Sequence, residues 1–293
     1  MKKYIKQVNE EKGLVQVTTQ DERWYFKQGI NKETGLPEMS SVPSVTWIAG
    51  YYPKGIGFYK WLAEHGWDEA ESLKVSAGDK GSMIHEAIDV ILAGCEVRID
   101  SAFINKSTGK MEELTIDECD AILSFVKWQG ENKPITIVKD YTIYSSKYGY
   151  AGTIDHIYMK EGEEVAYLQD FKSGQNIFRE HEMQVSAYKQ ALLEDAELME
   201  KFTELGIKEV KLELLQIGYK RNKNGYKVNE VEDCFDLFLT ARKIWEKETN
   251  GEKPKQKDYP IILSKGVGPV LPGLGATGPA PTTKVGKINK KSK

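Results

Sequence analysis

The chain has 293 residues, 40% of them hydrophobic, enough for a sizeable buried core in one large domain or two small ones. Its formal charge of −3 excludes a protein that coats nucleic acid by bulk electrostatics, while leaving room for a local basic groove. No window offers the ~18–20 apolar residues of a membrane span, residues 1–4 open no signal peptide, and Cys95, Cys119 and Cys234 have the spacing of neither a disulfide framework nor a zinc or iron-sulfur site, so a soluble, cytoplasmic protein is expected, with no membrane partner.

In chain order, Gly13 to Lys27 reads as a hairpin: Leu14, Val15 and Val17, a polar Gln20-Asp21-Glu22 turn, then Trp24, Tyr25 and Phe26. From Ser44 to Cys95 the pattern is helical. A Trp-rich stretch, Phe58 to Trp67, precedes a helix over Gly81 to Leu92, in which Ile84, Ala87, Ile88, Ile91 and Leu92 recur at helical spacing until Gly94 stops it. The aromatic residues Tyr59, Trp61 and Trp67 are expected to pack between helices rather than to stack on bases. Thr115-Ile116-Asp117-Glu118 is a capping box, announcing a helix to about Gln129.

Beyond Pro134 the texture turns to β: Ile135 to Ser145, Tyr150 to Met159 and Val165 to Lys172, joined closely enough to be antiparallel. A helix over Glu180 to Leu198, a strand over Val210 to Tyr219, a polar Asn222-Lys223-Asn224-Gly225 turn and a helix over Glu232 to Thr249 follow. This order implies an α/β core, a mixed sheet flanked by helices. Residues 1–265 are expected to form one domain, with a hairpin and helical part over about 1–130 and a sheet core over about 131–250. From Gly266 the chain is rich in Gly, Pro, Ala and Thr and carries five lysines after Pro281, so 266–293 should be a disordered tail.

The third of those strands carries the anomaly. Ala166, Leu168, Asp170 and Lys172 share one face, so an apolar stripe ends in an acid and a base. A plain ion pair would account for them. The preceding strand adds Asp155 in an otherwise apolar run, and two carboxylates facing each other across roughly 5 Å repel unless a cation neutralises them. Oxygen ligands favour magnesium or manganese. On the next helix Gln184 interrupts an apolar arc one turn before Tyr188, either bonded to nearby backbone or lining the same cleft. His85 lies at the rim of its helix's stripe, where it either packs or completes a metal shell.

Gly149-Tyr150-Ala151-Gly152-Thr153-Ile154-Asp155, then Asp170-Phe171-Lys172-Ser173-Gly174, then Gln184 to Tyr188 resemble the RecB-type branch of the PD-(D/E)XK nuclease superfamily. Upstream, Val42-Pro43-Ser44-Val45-Thr46 and Lys80-Gly81-Ser82-Met83-Ile84-His85 are similar to elements of its phage-type exonuclease members, which would place the protein in a host cytoplasm. The resemblance implies a restriction-endonuclease-like core and a magnesium- or manganese-dependent nuclease. Asp155, Asp170, the Phe171 carbonyl and His85 would hold the metal, with Lys172, Gln184 and Tyr188 serving the chemistry. Members often carry a Glu on the strand before the metal Asp, where this chain has the shorter Asp140.

The implied partner is DNA, single- or double-stranded, with a homo-oligomer or a replication or recombination partner left open. The cations of Lys220, Arg221, Lys223 and Lys227, around a hairpin tip, would meet DNA phosphates or simply solvent. An exonuclease in recombination, repair or replication is expected. A structure-specific endonuclease, a DNA-binding protein that has lost cleavage, and an unrelated hydrolase using two carboxylates are the competing readings.

Overall fold

The apolar runs between residues 135 and 172 form three successive strands, β7 (Ile135–Ser145), β8 (Tyr150–Met159) and β9 (Val165–Lys172), paired antiparallel. Two more, β10 (Glu209–Ile217) and β11 (Tyr226–Val231), complete a five-stranded sheet of order β11-β10-β9-β8-β7. β10 lies parallel to β9, which a tight turn cannot achieve. The crossover is helical and in two pieces, α5 (Arg179–Leu192) and α6 (Ala196–Glu204), where one helix to Leu198 was expected. Asp195 causes the break: its carboxylate caps α6 by accepting from the Leu198 amide.

Helices cover both faces of this sheet. On one, α1 (Val45–Ala49), α5 and α7 (Phe235–Thr249) bury Ile48, Ala187, Leu192 and Phe238 against Ile143, Leu168 and Leu214. On the other, α3 (Trp67–Leu92) and α4 (Ile116–Asn132) bury Ile84, Ile88, Phe125 and Trp128 against Tyr158, Phe171 and Leu215. The mixed α/β architecture expected from the sequence is present. The capping box of α4 forms as expected, with Thr115 N–H donating to Glu118 Oε2 at 2.6 Å.

α3 begins at Trp67 rather than near Gly81, because its first half buries only Ala70 and so shows no apolar period. It stops where Gly94 turns left-handed (φ 78°). Between it and α4, β5 (Ala102–Asn105) and β6 (Lys110–Glu113) make a small hairpin. The expected N-terminal hairpin is the centre of a four-stranded antiparallel sheet of β1 (Tyr4–Asn9), β2 (Leu14–Thr18), β3 (Arg23–Ile30) and β4 (Pro37–Pro43). A single parallel bridge, Ser44 to Ala151, and a contact between Tyr25 Oη and Thr153 Oγ1 at 3.1 Å join it to β8.

The aromatic helix α2 (Ile56–His65) buries no residue fully; Tyr59 and Trp67, 54% and 71% exposed, do not show the expected packing between helices, while Trp61 is half-buried. Residues Met1–Pro254 form one compact unit. This computed structural model describes residues 4–9, 13–18, 23–30, 35, 37–105 and 108–251; the Gln20-Asp21-Glu22 turn and the 266–293 tail lie outside them. Among the described residues no helix is long and apolar enough to cross a membrane.

Candidate active site

β7 follows β8 from Tyr150 to Met159, yet β8 and β9 pair only over His156–Met159 and Ala166–Gln169. One further step of that register would set Asp155 opposite Asp170, and there the ladder stops. Two carboxylates directly opposite destabilise a strand pair, which gives the stop a physical cause. β7 is distorted at the same level. Asp140, opposite Asp155 by register, takes a left-handed backbone (φ 43°). Strand alternation slips here too, so that Ile154 and Ile157, three residues apart, enter the same core.

Asp155 turns its carboxylate along the opening. Oδ2 accepts from the Phe171 amide at 2.8 Å, and Oδ1 lies 3.2 Å from His85 Nδ1. The other ring nitrogen, Nε2, is 3.2 Å from the Phe171 carbonyl. Both nitrogens therefore face acceptors, an arrangement that the doubly protonated imidazolium satisfies and a neutral tautomer does not. Burial works against that charge, but the Asp155 carboxylate outweighs it and raises the histidine's pKa. Burial likewise works to raise Asp155, and His85, Lys172 and the Phe171 amide together hold it below its ordinary value.

Asp170 is 2% exposed. Lys172 Nζ lies 2.5 Å from its Oδ2, a buried ion pair whose angles fall outside those of a regular hydrogen bond. Lys172 Nζ donates instead to Gln184 Oε1 at 3.0 Å, and Gln184 Nε2 donates to Tyr188 Oη at 2.7 Å. Burial pushes the Asp170 carboxyl up to about 6, with Lys172 opposing and Asp155 adding to the rise. Burial also raises the Tyr188 phenol well above its usual range, keeping it neutral. Its ring fills the space over β8, where a Cβ on Gly152 would come within 2.3 Å of Tyr188 Cε1. Only glycine leaves room for that ring.

No family model matches the chain, and no curated protein matches its sequence. The chemistry rests on the side chains themselves. Two carboxylates and the Phe171 carbonyl are oxygen donors of the kind that hard divalent ions take, and the one imidazole is a softer addition to them. Among the described residues no three His, Cys, Asp or Glu side chains already stand as a metal cage, and Asp155 and His85 are engaged with each other. Asp170, whose Oδ2 holds the Lys172 ammonium, is what fits a cation here. A buried carboxylate is costly unless a cation faces it, a part that a metal ion could share with Lys172.

The expected cluster of His85, Asp155, Asp170, Phe171, Lys172, Gln184 and Tyr188 is thus brought together. The cations of the β10–β11 turn stand apart from it. Lys220 pairs with Asp117 at 3.3 Å, Arg221 donates to Asn176 at 3.0 Å, Lys227 sits over the Tyr219 ring, and Lys223 lines a surface hollow of about 370 Å³. The turn is nevertheless clipped to the loop after Lys172, since Gln175 donates to the Gly218 carbonyl at 2.8 Å and accepts from the Lys220 amide at 2.9 Å.

Two further groups were not foreseen. Asp89 lies one helical turn after His85, and burial, then the nearby Asp140 and Asp155 carboxylates, push it up to about 7. The i, i+4 spacing from His85 could have flagged it. His181, at the start of α5, is pushed down to about 3 by burial, then by Lys172 and Lys54. No sequence signal marks it.

Proposed function

We propose that this chain is a divalent-metal-dependent nuclease that hydrolyses DNA phosphodiester bonds, built on a restriction-endonuclease-like core of the PD-(D/E)XK type. The observation that carries this reading is the buried Asp170 carboxylate, held by the Lys172 ammonium and flanked by Asp155 and His85 where β8 and β9 cease to pair. Asp155, Asp170 and the Phe171 carbonyl would hold magnesium or manganese, and His85 would join them once it gives up a proton. A bound ion would supply Lewis-acid stabilisation of the phosphate and a more acidic water.

The protein's own groups do the rest. Lys172, held by Gln184, presents its ammonium to the attacking water and to the charge that grows on the phosphorane-like transition state. Tyr188 stays neutral and fixes Gln184, so the lysine's direction is set by a side chain that does not itself titrate in the working range. His181 stays neutral beside Lys172 and adds no competing charge. Lys220 and Arg221, on the turn clipped to the loop after Lys172, would offer phosphate contacts away from the metal cluster. The motif resemblance favours an exonuclease acting in recombination, repair or replication.

The test incubates linear and closed circular DNA with magnesium, manganese or chelator, beside Asp170→Ala and Lys172→Ala. Cleavage is expected to vanish in chelator and to fall by about a thousandfold or more in each variant. Cleavage that survives chelator, or survives in both variants, overturns the reading. Degradation of linear DNA alone identifies an exonuclease.

A further inference from the structure

β7 follows β8 along its length, but on the other side β9 pairs only from His156 onwards, so the stretch Tyr150–Asp155 has lost one neighbour. The candidate site depends on that stretch. Asp155 ends it, and Gly152 is the seat of the Tyr188 ring, so close that any side chain at 152 would strike it. Tyr188 in turn holds Gln184, and Gln184 holds Lys172. A strand held on one side only has more room to shift, and a misplacement of about 1 Å at a reacting group can cost about a hundredfold in rate.

A distant part of the chain supplies what β9 does not. The Ser44 backbone bridges Ala151, and Tyr25 of β3 is buried with Val42 against the same Ala151. Tyr25 brings its hydroxyl to Thr153 Oγ1 at 3.1 Å, across 128 residues of sequence. Two further contacts fix this pair of hydroxyls. Gln16 Nε2 on β2 donates to Tyr25 Oη at 2.8 Å, and the buried Thr142 Oγ1 on β7 lies 3.0 Å from Thr153 Oγ1. A row of four polar groups thus runs from β2 through β3 and β8 to β7. Packing against Ala151 asks only for a ring, which phenylalanine would supply without a hydroxyl to desolvate. Thr153 stands two residues before Asp155, roughly 7 Å along the strand.

We infer that Tyr25, acting through Thr153, is a positioning residue: the N-terminal sheet holds the half of β8 that β9 leaves, and so sets both Asp155 and the seat of Tyr188. Its bearing on cleavage rests on the nuclease reading, whereas its hold on β8 can be measured without it.

The test removes hydroxyls and keeps volume, in Tyr25→Phe, Thr153→Val and their double variant. In chelator, hydrogen exchange over 150–155 should quicken about tenfold in all three while 165–172 keeps its rate. In the same variants kcat should fall about fivefold with KM within twofold, and the Kd for manganese, read from the paramagnetic signal of the free ion, should rise about fivefold. Thr153→Ser, which keeps the hydroxyl, should restore most of each value. The double variant should be no worse than either single one, since both break one contact. Exchange over 150–155 that stays at the parent rate overturns the inference. So does exchange that quickens equally over 165–172, because Tyr25 would then support the whole fold and no particular strand. Quickened exchange with kcat and the manganese Kd unchanged overturns it as well. A parent that neither cleaves nor binds manganese sinks the nuclease reading alone, and the exchange rates then decide whether Tyr25 holds β8.

Discussion

His156 and Gln169 face each other on β8 and β9, and Asp155 and Asp170 follow at the next step. Under α4 the first pair belongs to a buried chain of matched groups. Thr136 Oγ1 lies 3.0 Å from His156 Nε2, His156 Nδ1 lies 3.3 Å from Gln169 Oε1, and Gln169 and Tyr158 both donate to Glu213 Oε2, at 3.1 and 2.8 Å. One neutral histidine tautomer serves that chain, and burial, pushing the pKa of His156 down to about 4, keeps it neutral. One step away His85 needs two protons, and Asp170 faces an ammonium at 2.5 Å. Groups that satisfy one another fix a fold. Charges gathered on the same strands carry a desolvation cost that the matched chain helps to offset.

The sharpest break of this comparison comes from removing one acid on each side. Glu213→Ala strands the Tyr158 hydroxyl and the Gln169 amide, and should lower stability by about 3 kcal/mol in urea unfolding, with or without metal. Asp170→Asn should do the reverse in chelator at pH 8, raising Tm, because it deletes a charge that burial disfavours. If both variants lose the same stability, the two regions do not differ as described.

The second test is pH. Asp170 and Asp89, raised to about 6 and about 7, bind protons more tightly folded than unfolded, and His85 is raised as well. Each contributes stability that is complete below its unfolded pKa and is lost as pH rises through its folded one. His156 and His181, depressed to about 4 and about 3, act in the opposite sense up to about pH 6.5, so the fall is read above it: in chelator Tm should drop between pH 6.5 and pH 8, and manganese should recover most of that drop at pH 8. A metal-free Tm that rises over this range contradicts the assignment. The smallest effect is expected from Tyr188→Phe, which takes the acceptor from Gln184 Nε2 but leaves Lys172 in place. A drop in kcat of up to about tenfold with little change in KM is expected, since only the lysine's aim is loosened.

The three central strands could be read in the sequence because each is a long apolar run closed by a polar turn, and strand alternation set Asp170 and Lys172 on one face. β5, β6 and β11 could not. They are short, β6 and β11 carry several charged or polar residues, and β5 and β6 pair only with each other. Asp89 was hidden because it lies in a helix read for its apolar stripe, and the slip at Asp140 follows from a backbone angle that residue identity does not encode. Aromatic content alone suggested that α2 packs; whether a ring meets a neighbour or water is decided by distant parts of the chain.

The bridge from Ser44 to Ala151 has a consequence for truncation. Where β8 parts from β9, its free side would be an open strand edge, and the residues that lead from β4 into α1 lie along it. A chain cut just before Val45 would lose Ser44 and bear that edge bare, a template on which other copies could add strands, so the link out of β4 guards against aggregation as well as capping α1.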